Sequence, residues 1–221
     1  MPIERLFNER DVQRLIDMNA APPFGKRDSA VIMAALYWGL TPSELSLIRL
    51  EDIMDQSGDF FRIWTLPLSV AYNGEARELH TEDHVLPFFE QYIDWRVSKG
   101  LYLSNQSWYR GSDPKSQFLL NDKGEPYKLS PRKKGSTDYQ ARAMSAKLKT
   151  YIEKTGIEGA TVATFRDSWV KAMYDSGCHH KDLMLVSGIK QKETIDKKTR
   201  PAIQELEQVF KHIYSRVRVA K

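Results

Sequence analysis

The sequence predicts a mostly helical α+β fold that contains one small antiparallel sheet. Apolar side chains recur with helical spacing over residues 9–18 and again, more densely, over 27–38. Strand-forming residues dominate 60–66 and 76–81, and the Asn73-Gly74 pair between these runs favours a hairpin. Because 41% of the 221 residues are apolar, the chain can bury one sizeable core, and we expect a single domain.

The helices that follow can be placed from their start and stop signals. Thr41 stands at an N-cap position, Pro42 at the first helical position and Glu44 three residues after the cap, which is the pattern of a capping box. We therefore expect a short helix to begin there. Another helix is expected over residues 88–97, and the polar, glycine-containing stretch after it predicts a long loop.

The second half of the chain is predicted to be mostly helical. Ser136 and Thr137 favour the start of a basic helix that ends at Gly156. Two later segments, each closed by a glycine that favours a left-handed cap, are also expected to be helices: residues 165–176 before Gly177 and 181–187 before Gly188.

The last helix is predicted to begin near Pro201. Its apolar stripe consists of Ile203, Leu206, Val209, Ile213 and Val217. A stripe of this kind typically packs against a core.

Charge is unevenly distributed along the chain. Residues 1–110 hold 11 Lys and Arg against 16 Asp and Glu, whereas residues 111–221 hold 22 against 13. This asymmetry favours a polyanion-binding surface in the second half, although a solvated basic face without function would have the same composition. We expect two cationic surfaces, which comprise Arg132, Lys133, Lys134, Arg142, Lys147 and Lys149 in the first, and Lys190, Lys192, Lys197 and Lys198 in the second.

Cysteine usage and hydropathy favour a soluble cytoplasmic protein. Cys178 is the only cysteine, so an intrachain disulfide is excluded. The longest apolar run, residues 30–40, is too short to span a bilayer, and the N-terminus lacks the layout of a signal peptide. His179 and His180 follow Cys178 but lack the spacing of a known metal-ligand pair, and we expect a surface loop there, with no metal or cofactor.

Two sequence motifs stand out, one in each half of the chain. The first is residues 39–45, Gly-Leu-Thr-Pro-Ser-Glu-Leu, followed by Asp52-Ile53, and the second consists of Arg166, Gly177 and Gly188 at their particular spacing. The first motif resembles the first conserved box of the tyrosine recombinases, or phage integrases, and the second resembles their second box and the helices after it. The resemblance covers the whole chain, and it implies the catalytic-domain fold over residues 1–221, double-stranded DNA as partner and no separate N-terminal core-binding domain.

The resemblance also implies that most catalytic positions are replaced. Thr41 stands where the family has its first arginine, and a hydroxyl cannot replace a bidentate guanidinium on phosphate. The hairpin lysine is missing, since no lysine lies between Lys26 and Lys99, and Arg77 nearby is a poor general acid.

The remaining replacements remove proton carriers and the nucleophile. Ala163 takes a histidine position, Asp167 follows Arg166 where histidine is usual, Ile189 replaces the histidine or tryptophan after Gly188, and Lys198 takes the tyrosine position. Only Arg166 of the usual set is retained. It could hold a phosphate or be a buried arginine paired with a carboxylate such as Glu44.

These observations leave three hypotheses. The first is a catalytically inactive DNA-binding protein, an accessory factor or regulator in DNA recombination or integration of a mobile element, which contacts DNA through Arg166 and the two cationic surfaces. The second is a protein-interaction subunit without DNA binding. The third is a strand-transfer enzyme with a displaced nucleophile such as Tyr214. The family resemblance further implies that the C-terminal helix could dock on a second copy or on an active recombinase.

Overall fold

The computed structural model describes residues 5–200. Its helices and strands follow one another in the order α1 Glu9–Asn19, α2 Gly25–Tyr37, α3 Pro42–Leu47, α4 Leu50–Ile53, β1 Ile63–Leu66, β2 Arg77–His80, α5 Leu86–Ser98, a 3-10 turn Trp108–Gly111, β3 Ser130–Pro131, β4 Tyr139–Gln140, α6 Arg142–Thr155, α7 Val162–Asp175, α8 His180–Ser187 and α9 Lys192–Thr199. The predicted mostly helical α+β class is confirmed. The expected last helix and its stripe, together with Tyr214, lie outside the described residues.

Local signals place several helix ends where the sequence predicts them. Thr41 caps α3: its hydroxyl accepts a hydrogen bond from the Glu44 amide at 3.3 Å, and the Glu44 carboxylate accepts one from the Thr41 amide at 2.8 Å. Gly156 and Gly188 end α6 and α8 in the left-handed conformation, at φ of 63° and 71°. Gly39, at φ of 60°, has the Trp169 ring so close that a Cβ would clash with it.

The predicted hairpin is present, and a second one was not predicted. β1 pairs with β2 antiparallel, with Trp64 opposite Leu79. The expected helix start at Ser136-Thr137 is wrong, because these residues form the turn between β3 and β4. The Ser136 hydroxyl accepts a hydrogen bond from the Asp138 amide at 3.0 Å. Ser136, which was predicted to begin a helix, therefore stabilises a turn.

Two apolar clusters hold the helices together. The larger surrounds α2, which is buried along almost its whole length, and includes a group of aromatic side chains around Trp38. The smaller joins α7, α8 and α9 through the buried side chains of Val170, Leu183, Ile189 and Ile195. α9 was not predicted, and its packing through Ile195 fixes the position of the lysines that it carries. Among the described helices, none is both long and apolar enough to cross a membrane.

Candidate functional site

A cavity of about 740 Å³ lies between the two apolar clusters. It is lined by residues from α2, α3, the β1–β2 connection, α6, α7 and the segment from Ile189 to Lys198. Six positions where the family resemblance implies catalytic residues line this cavity, namely Thr41, Ala163, Arg166, Asp167, Ile189 and Lys198. Positions that are up to 157 residues apart therefore converge on one site.

Thr41 and Glu44 form the part of the cavity wall that α3 contributes. Glu44 is fully buried, and its carboxylate accepts hydrogen bonds from the Thr41 hydroxyl at 2.9 Å and from the Tyr72 amide at 3.2 Å. An Arg77 Nη2 lies 2.7 Å from the same carboxylate. The Thr41 hydroxyl thus serves the helix cap and the Glu44 network.

Arg77 links β2 to two neighbouring helices. Its guanidinium is buried, Nε donates a hydrogen bond to the Val186 carbonyl at 3.1 Å, and the contact with Glu44 is an ion pair without a well-aligned hydrogen bond. These contacts connect β2 with both α3 and α8. They also show that Glu44 takes Arg77 as its partner rather than Arg166, so the pairing considered for Arg166 and Glu44 is wrong.

Arg166 is held between α8 and an aromatic ring. Its Nη2 donates a hydrogen bond to the Ser187 carbonyl at 2.5 Å, and its guanidinium carbon lies 4.8 Å from the centre of the Tyr72 ring. Its Nε is buried without a hydrogen-bond partner among the described residues. No carboxylate among the described residues compensates the positive charge of Arg166. This guanidinium could therefore bind an anion in the cavity.

Asp167 and Lys198 stand at two positions where the family resemblance implies catalytic residues, and they pair with each other. The Lys198 ammonium donates a short hydrogen bond to the buried Asp167 carboxylate. The pair joins α7 to α9 across the cavity edge. Ile189 is buried and Ala163 is exposed, and since both side chains are aliphatic, neither position offers a proton-transfer group.

Tyr72 is a site residue that the sequence did not indicate. It follows the end of β1 and lines the cavity, and its hydroxyl donates a hydrogen bond to the Gly188 carbonyl at 2.6 Å. The side-chain amide of Asn73 donates a hydrogen bond to the same carbonyl at 3.1 Å. Since 116 residues separate Tyr72 from Gly188, no local pattern could have placed this tyrosine at the site.

The proposed DNA-contacting cations divide into two groups. Four of them already have a carboxylate partner: Lys147 with Asp122 at 2.8 Å, Lys149 with Glu153 at 3.4 Å, Lys190 with Glu75 at 2.8 Å and Lys198 with Asp167. The others make no ion pair with a described residue, and they are Arg132, Lys133, Lys134, Arg142, Arg166, Lys192 and Lys197. The first predicted surface is thus not uniformly available, because Lys147 is half-buried against an acidic partner.

The Cys178-His179-His180 segment has no arrangement of metal ligands. His180 begins α8 and contacts Asp196 of α9 at 2.8 Å. Within residues 5–200, no group of three or more His, Cys, Asp or Glu side chains is placed to hold a metal ion.

Comparison with solved structures assigns the fold. XerA recombinase matches at a TM-score of 0.68 and 14% identity, over 99% of this chain and 68% of its own. XerH site-specific recombinase, bound to palindromic difH substrate in a post-cleavage complex, matches at 0.62 and 13%, over 93% and 52%. Tn1549 transposon integrase, in complex with transposon right end DNA, matches at 0.58 and 13%, over 97% and 67%.

The chain therefore has the fold of a tyrosine-recombinase catalytic domain, and it spans about half to two thirds of the length of these proteins. No protein-family model matches the sequence, and no curated protein matches it either. At 13–14% identity the likeness concerns the fold alone.

Proposed function

We propose that this chain is a DNA-binding protein that uses the tyrosine-recombinase fold without its cleavage chemistry, as an accessory factor or regulator in the recombination or integration of a mobile element. The observation that carries the proposal is the content of the cavity. Of the positions that would stabilise a phosphoryl group, move protons or attack phosphorus, only Arg166 has a suitable side chain.

Loss of the nucleophile removes the covalent route, whereas phosphate binding needs only cations and donors at suitable positions. Arg166 supplies one such cation inside the cavity, and the exposed cations without carboxylate partners supply others outside it. Two of the structures with the same fold were determined with DNA, which supports duplex DNA as the partner.

The first experiment is a titration with duplex DNA at two salt concentrations. We expect an affinity that falls steeply with salt. We expect a further loss in Arg166→Gln, measured on protein whose urea midpoint shows that it is folded, because the hydrogen bond to the Ser187 carbonyl is lost as well. The matched control is Arg62→Gln, just before β1, where an exposed arginine forms an ion pair with Asp83. Absence of duplex binding at low salt would overturn the proposal and favour a protein-interaction subunit.

The strand-transfer alternative would need a nucleophile at the cavity. Tyr72 lines the cavity beside Arg166, although its hydroxyl is engaged with the Gly188 carbonyl. A nicked suicide duplex tests this directly. We expect no covalent protein–DNA adduct from the full chain, and an adduct that disappears in Tyr72→Phe would instead establish an enzyme. The full chain includes Tyr214, so an adduct retained in Tyr72→Phe would point to a different nucleophile.

A further inference from the structure

The hairpin formed by β3, β4 and their turn, residues 130–140, carries the densest group of exposed cations with no ion-pair partner in the described part of the chain. Arg132, Lys133 and Lys134 are exposed and consecutive. The hairpin contains one carboxylate, that of Asp138, so its net charge is +2. Exposed positive charge that the protein leaves uncompensated is available for a polyanion.

Hydrogen bonds hold the hairpin in a defined shape. The Arg132 amide donates to the Asp138 carbonyl at 2.7 Å, and the Ser136 amide donates to the Lys133 carbonyl at 3.0 Å. Gly135 takes a φ of 79° at the turn. The three cations therefore project from a folded turn, and ordering them on a ligand costs less conformational entropy than ordering a flexible tail.

Arg142 attaches the hairpin to the helix behind it. Its Nη2 donates hydrogen bonds to the carbonyls of Arg132, at 3.0 Å, and Pro131, at 3.3 Å. Arg142 is the first residue of α6, and Leu148 of the same helix lines the cavity. Six helical residues span about 9 Å, which is less than the width of a DNA major groove, about 12 Å. A duplex that covers the cavity would thus come within reach of the hairpin.

Tyr139 adds an aromatic surface to the hairpin. It pairs with Pro131 across the ladder, and 58% of its surface is exposed. An exposed ring next to a row of cations suits a nucleic-acid backbone, because the ring can pack on a sugar while the cations contact the phosphates on either side.

We propose that the hairpin of residues 130–140 is an arm that contacts the phosphate backbone of a DNA duplex lying across the cavity. This inference rests on the proposed DNA-binding function and assigns most of the electrostatic contact to one element. In this assignment Arg142 is a positioning residue for the arm. The paired lysines Lys147, Lys149 and Lys190 contribute little.

The test compares two triple variants of the full chain by titration with a random-sequence duplex. The arm variant is Arg132→Gln, Lys133→Gln and Lys134→Gln. The control variant, Arg10→Gln, Lys26→Gln and Lys99→Gln, removes the same charge from exposed side chains that make no ion pair with a described residue. Equal urea midpoints for the wild-type protein and both variants verify that the fold is retained.

Each phosphate contact contributes about 0.9 to the slope of log affinity against log salt. We therefore expect the arm variant, which lacks three cations, to lose about 2.7 from that slope. Raising salt from about 50 mM to about 200 mM would then weaken its binding about 40-fold less than it weakens the wild-type protein. The control variant should keep most of the wild-type slope.

The arm is refuted if the wild-type protein binds duplex DNA and the arm variant keeps its slope, or if the two variants lose equally. Either result leaves the proposed function intact. Failure of the wild-type protein to bind duplex at all refutes the proposed function itself, and with it the arm.

Discussion

Lys198 and Asp167 form an ion pair at two positions where the tyrosine-recombinase resemblance implies a tyrosine and a histidine. The two replacements are complementary in charge and meet across 31 residues of sequence, between α7 and α9. A buried carboxylate opposite a neutral side chain would be unfavourable, so each replacement makes the other tolerable. The pair is a structural contact between α7 and α9.

This coupling can be measured with a double-mutant cycle. Lys198→Met leaves the Asp167 carboxylate buried without its partner, and we expect the free energy of unfolding to fall by about 2 kcal/mol. Asp167→Asn should cost less, because an amide is cheaper to bury than an unpaired charge and the lysine can reach solvent. The double variant should be destabilised by less than the sum of the two, with a coupling of about 1 kcal/mol. Urea unfolding at neutral pH measures all three, and strict additivity would contradict the pairing.

Thr41 stands where the family resemblance implies the first arginine, and its role can be tested by substitution. We expect Thr41→Ala to lower the free energy of unfolding by about 1 kcal/mol, because the α3 cap and a hydrogen bond to Glu44 are lost. Thr41→Ser, which keeps the hydroxyl, should lose much less. Duplex affinity measured for the folded variants should not change in either. A loss of affinity in Thr41→Ala without a loss of stability would instead place the hydroxyl on the DNA.

The parts of the fold that the sequence predicted are those determined by neighbouring residues. The Thr41–Glu44 capping box, the turn that ends at Gly74 and the cap at Gly188 each involve contacts within a few residues, so their patterns are readable. The pairing of β1 with β2 is less local, because residues 67–76 join the two strands. The same local logic failed at Ser136, because a serine hydroxyl can cap either a helix or a turn.

The sequence predicted some of the residues at the candidate site but missed Tyr72. Family spacing indicated which positions gather at the cavity, but it could not indicate their partners, since Glu44 meets Arg77 and Arg166 meets Tyr72 through tertiary packing. Nor could composition distinguish a lysine neutralised by a carboxylate from an available one, as the contrast between Lys147 and Lys133 shows.

The stability of the fold at acid pH should depend on a polar network beside α6. Burial opposes ionisation of Asp122, but hydrogen bonds and charges from Lys147 and Arg27 outweigh it and lower the pKa of Asp122 below its usual 3.8. Since the pKa is depressed in the folded state, the carboxylate stabilises the fold above its unfolded pKa. That stabilisation is lost as pH falls through the folded pKa.

Asp122→Asn should therefore reduce the urea midpoint at about pH 6 and make it fall less steeply between about pH 5 and about pH 3. The matched control is Asp83→Asn, which removes a carboxylate from an exposed ion pair with Arg62 and should leave both the midpoint and its pH dependence nearly unchanged. Because Arg27 is fully buried with Asp28 and Asp122 as its partners, Asp122→Asn leaves that cation less compensated at every pH at which the wild-type carboxylate is ionised. If the urea midpoint of Asp122→Asn fell with decreasing pH as steeply as that of the wild-type protein, the network would not depend on this charge.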